Sequence, residues 1–445
     1  MKPQKTRLSI PLFTADLIEC LDPNHPLHQL AADIDWLVFE SAFGATYDAF
    51  DGRPGKPIRL LVGLHYLKVA YNESDESVVE RWLENPYWQY FCGFDRFQHV
   101  CPIDPCNLGR WRKRVGPEKM EALLAETIET AKRKKLVTPT ELERVNVDTT
   151  VQEKAVTFPT DAKLFHKMRE VLVREAKTRG IKLRQSYERL SKISLIMQHR
   201  LRHGGKGKKA AREVRRLKGY LRKVTRDVIR RADPADEELK ELLLRAGQLL
   251  TQQKESKDKL YSVHAPEVEC IGKGKAHKKY EFGVKVGLVS TSRNNWIVGS
   301  QAFPGNPYDG HTLTAALDQV QRITGRTPGH AYVDKGYRGH GHEGPTEIHL
   351  AGKHVPKTMR EERRWMKRRA AIEPIIGHAK HDNRMDRNYL KGTVGDKVNA
   401  LLAAAGFNFR KLIREYARIF LRPILEVFWA LLSLRKPLDS TFQTA

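Results

Sequence analysis

Apolar positions along the chain recur first with helical spacing and later with strand spacing. Pro57 opens PIRLLVGLHYLKVAY, an apolar-periodic segment that predicts a helix with proline at its start. SDESVVERWLENPYWQYF follows, and Ser77 and Glu80 stand at capping-box spacing, which predicts a helix start there. Next, DPCNLGRWRKRVG sets a small-residue turn before Arg110, Arg112, Lys113 and Arg114. That pattern reads either as the end of a helix-turn-helix, with its cations on phosphates or base edges, or as an exposed basic helix end. Residues 1–120 are thus expected to form a helical domain that binds DNA or dimerises.

Near position 140 the period changes. In ERVNVDTTV, Val145, Val147 and Thr149 alternate with Asn146, Asp148 and Thr150, the period of a strand with a carboxylate opposite the valines. From 163 to 258 the helical period returns in a basic, aromatic-poor tract, broken at HGGKGKK and ADPAD. It reads as helical hairpins with coiled-coil character. Strand texture resumes in YEFGVKVGLVS and NNWIVGSQAF. A helix (HTLTAALDQVQRI), a strand (HAYVDKGY) and a short strand (KHVP) come next, and then long helices to the end. The pattern predicts an α/β core over 140–162 and 262–416, interrupted by the helical insertion. Residues 417–445 are expected to be an apolar helix and tail. Arg422, Pro423 and Glu426 interrupt Ile419–Leu434, so it reads as a buried or oligomer-facing helix and not as a membrane span.

Composition sharpens this picture. The 445 residues carry a formal net charge of +26, which points to a polyanionic partner. The five cysteines, an odd number, and the lack of an apolar core in MKPQKTRLSIPLF point to a reducing, cytoplasmic setting. Cys92, His99, Cys101 and Cys106 lie close in sequence, but their spacing fits no zinc finger, and small buried thiols are the expected reading.

Three carboxylates stand out. Glu373 sits in RRAAIEPIIGHAK, where Arg369, Glu373 and Lys380 share one helical face. An ion-paired surface is one reading. The apolar flanks Ala370, Ala371, Ile372, Ile375 and Ile376 argue instead for a packed helix, and Pro374 for a bent one. Asp148 and Asp334 are expected at strand ends, where open α/β sheets place their sites. Three such acids could hold a pair of Mg²⁺ ions about 3.5–4 Å apart, a clamp for phosphoryl displacement.

These stretches resemble the DDE transposases of bacterial insertion sequences, in particular the IS-five-like group. VNVDTTV carries the first acid at Asp148, and AYVDKGYRG the second at Asp334. RRWMKRRAAIEPIIGHAKHDNRMDRNYLKG carries the third at Glu373, with Arg369 and Lys380 at the family's positions. LDPNHPLHQLAADIDW through NLGRWRKRVG resembles the helical domain that precedes the catalytic core. Met366 stands where the family has a tyrosine, and Trp365 beside it is expected in the core. The resemblance implies a ribonuclease-H-like mixed sheet and an N-terminal helical domain. It implies that Asp148, Asp334 and Glu373 bind two Mg²⁺ or Mn²⁺ ions, and that Arg369 and Lys380 touch phosphates near the cut. It further implies cleavage at the element's ends, joining of 3′-OH ends to target DNA, double-stranded DNA as partner, and a homodimer or higher multimer that synapses two ends. Two other readings stand beside it: a non-catalytic or domesticated DNA-binding protein, and a basic helical scaffold built on 163–258.

Overall fold

In the computed structural model, residues 16–48, 54–253, 255–272, 278–352 and 359–433 are described. Seven helices come first: α1 (Leu17–Cys20), α2 (Pro26–Asp33), α3 (Trp36–Gly44), α4 (Ile58–Ala70), α5 (Asp75–Glu84), α6 (Pro86–Phe91) and α7 (Cys106–Arg133). Pro57 immediately precedes α4, as the spacing predicts, and Leu60, Leu61, Leu64 and Leu67 bury that helix on most sides. Helix α5 starts earlier than expected. Ser74 is its cap, and Ser77 closes the box by accepting from the Ser74 backbone N–H at 2.8 Å. Glu80 has no part in it.

The basic stretch does not end a helix-turn-helix. The connection from α6 to α7 spans residues 92–105, far longer than the three- or four-residue turn of that motif. Arg110, Arg112, Lys113 and Arg114 lie in the first arm of α7, which breaks at Gly116 (φ 77°).

Strand β1 (Arg144–Glu153) leads into four helices, α8 (Asp161–Thr178), α9 (Glu188–His203), α10 (Gly207–Ile229) and α11 (Glu237–Thr251). Two of their three breaks fall at the predicted HGGKGKK and ADPAD; the third, residues 179–187 between α8 and α9, interrupts a stretch whose spacing reads as continuous helix. Then come β2 (Glu269–Gly272), β3 (Tyr280–Thr291), β4 (Ile297–Phe303), α12 (Leu313–Thr324), β5 (His330–Val333), β6 (Glu347–Leu350), α13 (Arg360–Arg368), α14 (Ile372–His381) and α15 (Gly392–Ser433). The short strands β2 and β6 are additions to the sequence reading. The predicted strand at KHVP lies outside the described residues.

The sheet runs β4–β3–β1–β5–β6, with β2 sharing an edge of β3. β3 is antiparallel to β1, β2 and β4, whereas β5 is parallel to both β1 and β6. This is a mixed α/β sheet compatible with a ribonuclease-H-like core. Asp148 is not near the end of its strand as expected: β1 continues for five residues past it, paired to β3 along its length.

Two apolar cores organise the chain. One is built inside α8–α11 from residues such as Leu172, Leu217, Leu221, Val224 and Leu249. The other runs continuously from Leu27, Leu64 and Trp88 through Val147 and Val286 to Phe409 and Tyr416. The N-terminal helices therefore share a core with the sheet, and the expected boundary at 120 falls inside α7. Likewise α15 passes position 417 without a break. Among the described residues, no helix is long and apolar enough to cross a membrane.

Candidate active site

β1 and β5 run parallel, and their last paired residues are Asn146 and Tyr332. Continued two positions past that pair, the register sets Asp148 on β1 level with Asp334, the residue that follows β5. Asp334 caps the 3₁₀ turn Lys335–Tyr337, its Oδ1 accepting from Gly336 N–H at 2.9 Å. A third acid, Asp309, adjoins Asp334. A Cβ on Gly336 would lie 3.0 Å from Asp334 Oδ1 and 3.3 Å from Asp309 Oδ2, so this glycine marks how closely the two carboxylates approach one backbone atom. Thr149 Oγ1 donates to Asp309 at 2.9 Å, and Lys285 Nζ pairs with it at 2.9 Å. The Tyr337 hydroxyl titrates well above its ordinary range. Burial is the first cause, followed by the negative charges of Asp148 and Asp309, with a further push from Asp334.

Glu373 arrives from another element. The helix that carries it bends, as Pro374 predicts. Helix α13 ends at Arg368, a 3₁₀ turn covers Arg369–Ala371, and α14 begins at Ile372. Pro374 has no N–H to give the Ala370 carbonyl, so the regular helical ladder lapses there. Strand β1 grips this junction. Asn146, on the same side of β1 as Asp148, donates to the Arg368 carbonyl at 3.3 Å and accepts from the Ser292 hydroxyl at 2.8 Å. Arg368 Nε donates to the Ser292 carbonyl at 3.0 Å. Arg369 is thereby held between two acids, 4.0 Å from Asp148 Oδ2 and 3.8 Å from Glu373 Oε1. Ile372, Ile375 and Ala379 bury the opposite side of α14, and Lys380, in its last turn, is half-buried.

The structure thus brings Asp148 and Asp334 together and links Asp148 to Glu373 through Arg369. The carboxylates of Asp148, Asp334 and Glu373 do not all approach within 4.8 Å of one another; the described cluster that does so is His330, Glu347 and His349. The donor set at the acids is nonetheless right for a hard divalent ion. All of its donors are carboxylate oxygens, the ligands Mg²⁺ and Mn²⁺ prefer. Crowding Asp148, Asp309 and Asp334 around one buried phenol is the kind of charge arrangement that a divalent cation relieves.

Two sequence expectations change. Arg112 is buried, in bidentate contact with Asp75. It cannot reach DNA, because its fork serves the helical core. Arg110, Lys113 and Arg114 remain exposed. Trp365 is only half-buried, on a helix with no buried residue, and Arg144 sits 5.3 Å from its ring centroid. Sequence reasoning missed Asp309 because Asp-Gly signals a turn first. It missed Asn146 because its role is to fasten a distant helix. The four neighbouring Cys and His residues form no metal cluster among the described residues; Cys92 is buried with its thiol pushed up by burial, but Cys101 is half-buried and Cys106 exposed, so the expected buried thiol holds at one of the three positions. A cleft of about 640 Å³ lies elsewhere, lined by Arg293, Arg410, Lys411 and Arg414 beside His378 and Asp382; none of the three acids opens into it.

Residues 15–114 match the family described as Transposase domain (DUF772), and residues 249–409 match the family described as Transposase DDE domain. A relative from Rhizobium meliloti, named Uncharacterized protein ORF8 in nfe locus, is 50% identical over 192 residues. The match takes in 43% of this chain and 92% of that protein. No solved structure matches the chain.

Proposed function

The chain belongs to the DDE transposases of insertion sequences, and from that membership we propose that it binds the ends of its element, cleaves phosphodiester bonds there and joins the freed 3′-OH ends to target DNA. The observation that carries this reading is the adjacency of Asp148 and Asp334 on parallel strands, with Glu373 reaching the same region through Arg369. Asp148, Asp334 and Glu373 would hold two divalent ions, Mg²⁺ or Mn²⁺. Such ions, when bound, neutralise phosphate charge and lower the pKa of an attacking water.

The chain's own residues have distinct tasks in this proposal. Arg369 occupies the position between Asp148 and Glu373 and is suited to a non-bridging phosphate oxygen, since guanidinium matches phosphate in bidentate geometry. Lys380, two turns along the helix from Glu373, supplies a second cation for the backbone. Asp309 has its Oδ1 committed to Lys285 and Thr149, while its Oδ2 lies against the turn at Gly336. Tyr337 is buried against the acids and excludes water from their inner side.

DNA would be held over a wide surface. Arg110, Lys113 and Arg114 are exposed on α7, and Arg212, Arg215, Arg222, Lys223, Arg226 and Arg230 are exposed along α10. A row of cations at this density tracks phosphates and makes binding salt-dependent. A homodimer or higher multimer is part of the proposal. The outer face of α9 exposes Leu190, Ile193, Ile196 and Met197 at helical spacing, an apolar stripe suited to a second copy.

The test is cleavage of element-end DNA with Mg²⁺ by wild type and Glu373→Gln. The amide keeps the shape and removes the charge a metal needs. We expect wild type to cut and the variant to bind without cutting, with a loss of at least about a hundredfold in rate. Binding by both with cleavage by neither would leave a DNA-binding protein derived from a transposase. Full cleavage by the variant would remove Glu373 from the site.

A further inference from the structure

At the far end of β5 from the acids, three side chains of metal-binding type converge. His330 pairs with Glu347 across the parallel β5–β6 ladder, and Tyr332 pairs with His349. The two-residue period of strands puts all four on one face. His330 Nδ1 lies 3.0 Å from His349 Nε2 and 3.2 Å from Glu347 Oε2, and His349 Nε2 lies 3.7 Å from the same oxygen. A tetrahedral ion with bonds of about 2.0–2.1 Å sets its ligand atoms about 3.3 Å apart. The triangle already present has edges that bracket that value.

The surroundings support the same assignment. His349 Nδ1 donates to Glu362 Oε1 at 3.2 Å, from helix α13. That bond fixes the tautomer and turns the Nε2 lone pair toward the other two ligands, the usual carboxylate support of a metal-bound imidazole. The Tyr332 ring stacks on His349 at 4.7 Å and holds its plane. Arg144, the strand neighbour of His330, is engaged by Glu361 and by the Trp365 ring. His349 is the most enclosed ligand at 9% side-chain exposure, and Glu347 the most open at 64%, which leaves a coordination position to water.

We propose that His330, Glu347 and His349 form a zinc site, supported by Glu362, which clips β5, β6 and α13 together. Two imidazoles and one carboxylate suit Zn²⁺ and not the Mg²⁺ expected at the acids. The site lies four residues along β5 from Asp334, about 13 Å at the rise of a strand, so it is a separate centre. Its role is structural. Helix α13 runs directly into the turn that carries Arg369 and then Glu373; the Glu362–His349 contact ties it to the edge strand β6, beside the contacts that Glu361 and Trp365 make with Arg144 of β1. The inference stands whatever the acids catalyse.

The full chain, stripped of metal with a chelator, would be titrated with zinc chloride by calorimetry in excess magnesium, and its thermal unfolding followed with and without zinc. We expect one zinc per chain. His330→Ala and His349→Ala should each weaken binding by at least about a hundredfold, and Glu362→Gln by about ten- to a hundredfold. Asp334→Ala should leave zinc binding unchanged. Zinc should raise the melting temperature of wild type and not that of the His330→Ala/His349→Ala double variant. If His349→Ala fails to fold, Glu347→Gln at the exposed corner decides, with the same loss of affinity expected. Wild-type binding no tighter than the double variant would overturn the proposal, as would zinc binding that depends on Asp334.

Discussion

His65 shows how far a single residue can depart from its expected state. It is fully buried in α4, with Nδ1 2.6 Å from the Leu61 carbonyl and Nε2 3.2 Å from Arg112 Nη1. Arg112 can only donate, so Nε2 accepts and the ring is neutral. Burial, and then the Arg112 charge, hold its pKa down at about 3, against an ordinary 6.5. Its neighbour Asp75 is also held low: burial alone would raise it, but Arg112 and Lys68 outweigh burial together. Both groups bind protons more readily in the unfolded chain. The stability they contribute is therefore complete above about pH 6.5 and is lost as pH falls, first through His65 and then through Asp75 below the ordinary carboxylate range. The slope is roughly 1.4 kcal/mol per pH unit for each proton. Denaturation midpoints measured from pH 8 down to pH 5 should decline below about 6.5, and a flat profile would contradict the neutral ring. None of this was legible in GLHYLK. The same is true of Arg112, whose neighbours in sequence are genuinely exposed. One position in a run of cations turns inward because the helix turns it, and only packing identifies which one.

At the scale of elements, proline is a sounder guide than helical periodicity, which runs through the break at residues 179–187, or than cap spacing. Pro374 predicted a bent helix, and the bend is there. The capping box formed one turn earlier, because Ser77 can accept as well as Glu80 can, and Ser74 itself is extended where the helix begins. The crossing of α15 over α4 sets a sharper case. A Cβ on Gly406 would lie 2.8 Å from the Val69 side chain and 3.0 Å from its backbone carbonyl carbon. Helix propensity alone predicts that Gly406→Ala stabilises by about 1 kcal/mol. Overpacking against a neighbouring backbone costs about 1–3 kcal/mol and should win, because Val69 sits inside a buried helix. We expect a lower melting temperature for Gly406→Ala; an unchanged or higher one would mean that the two helices separate freely.

At the scale of the whole molecule, charge and apolar surface pull in opposite directions. A chain at +26 repels its own copies, yet α9 exposes Leu190, Ile193, Ile196 and Met197 in one stripe. If that stripe joins two copies, Ile193→Asp with Ile196→Asp should reduce the solution mass to that of one chain. The substitutions should leave helix content intact, since both side chains are already exposed. The check is light scattering after size exclusion in moderate salt, where charge repulsion is screened. Equal masses for wild type and the variant would exclude α9 as the contact.

Local pattern determined the alternation of periods, the insertion and two of its three breaks, and the strands bearing Asp148 and Asp334, because each depends on residues a few positions apart. The choice of which acids and cations face one another depended on register. Asp148 and Asp334 are 186 positions apart and adjacent because β1 and β5 run parallel in one register. Asp309 joins them through a turn, Arg369 reaches them because Asn146 holds the helix junction, and His330 meets His349 across a second parallel pair. The shared core of N-terminal helices and sheet likewise follows from α15 and α7 packing over long separations. A periodic pattern marks which face of an element is apolar, but not which other element will cover it. That is decided by the tertiary fold, where burial of one face against a particular partner fixes every other side chain's neighbours.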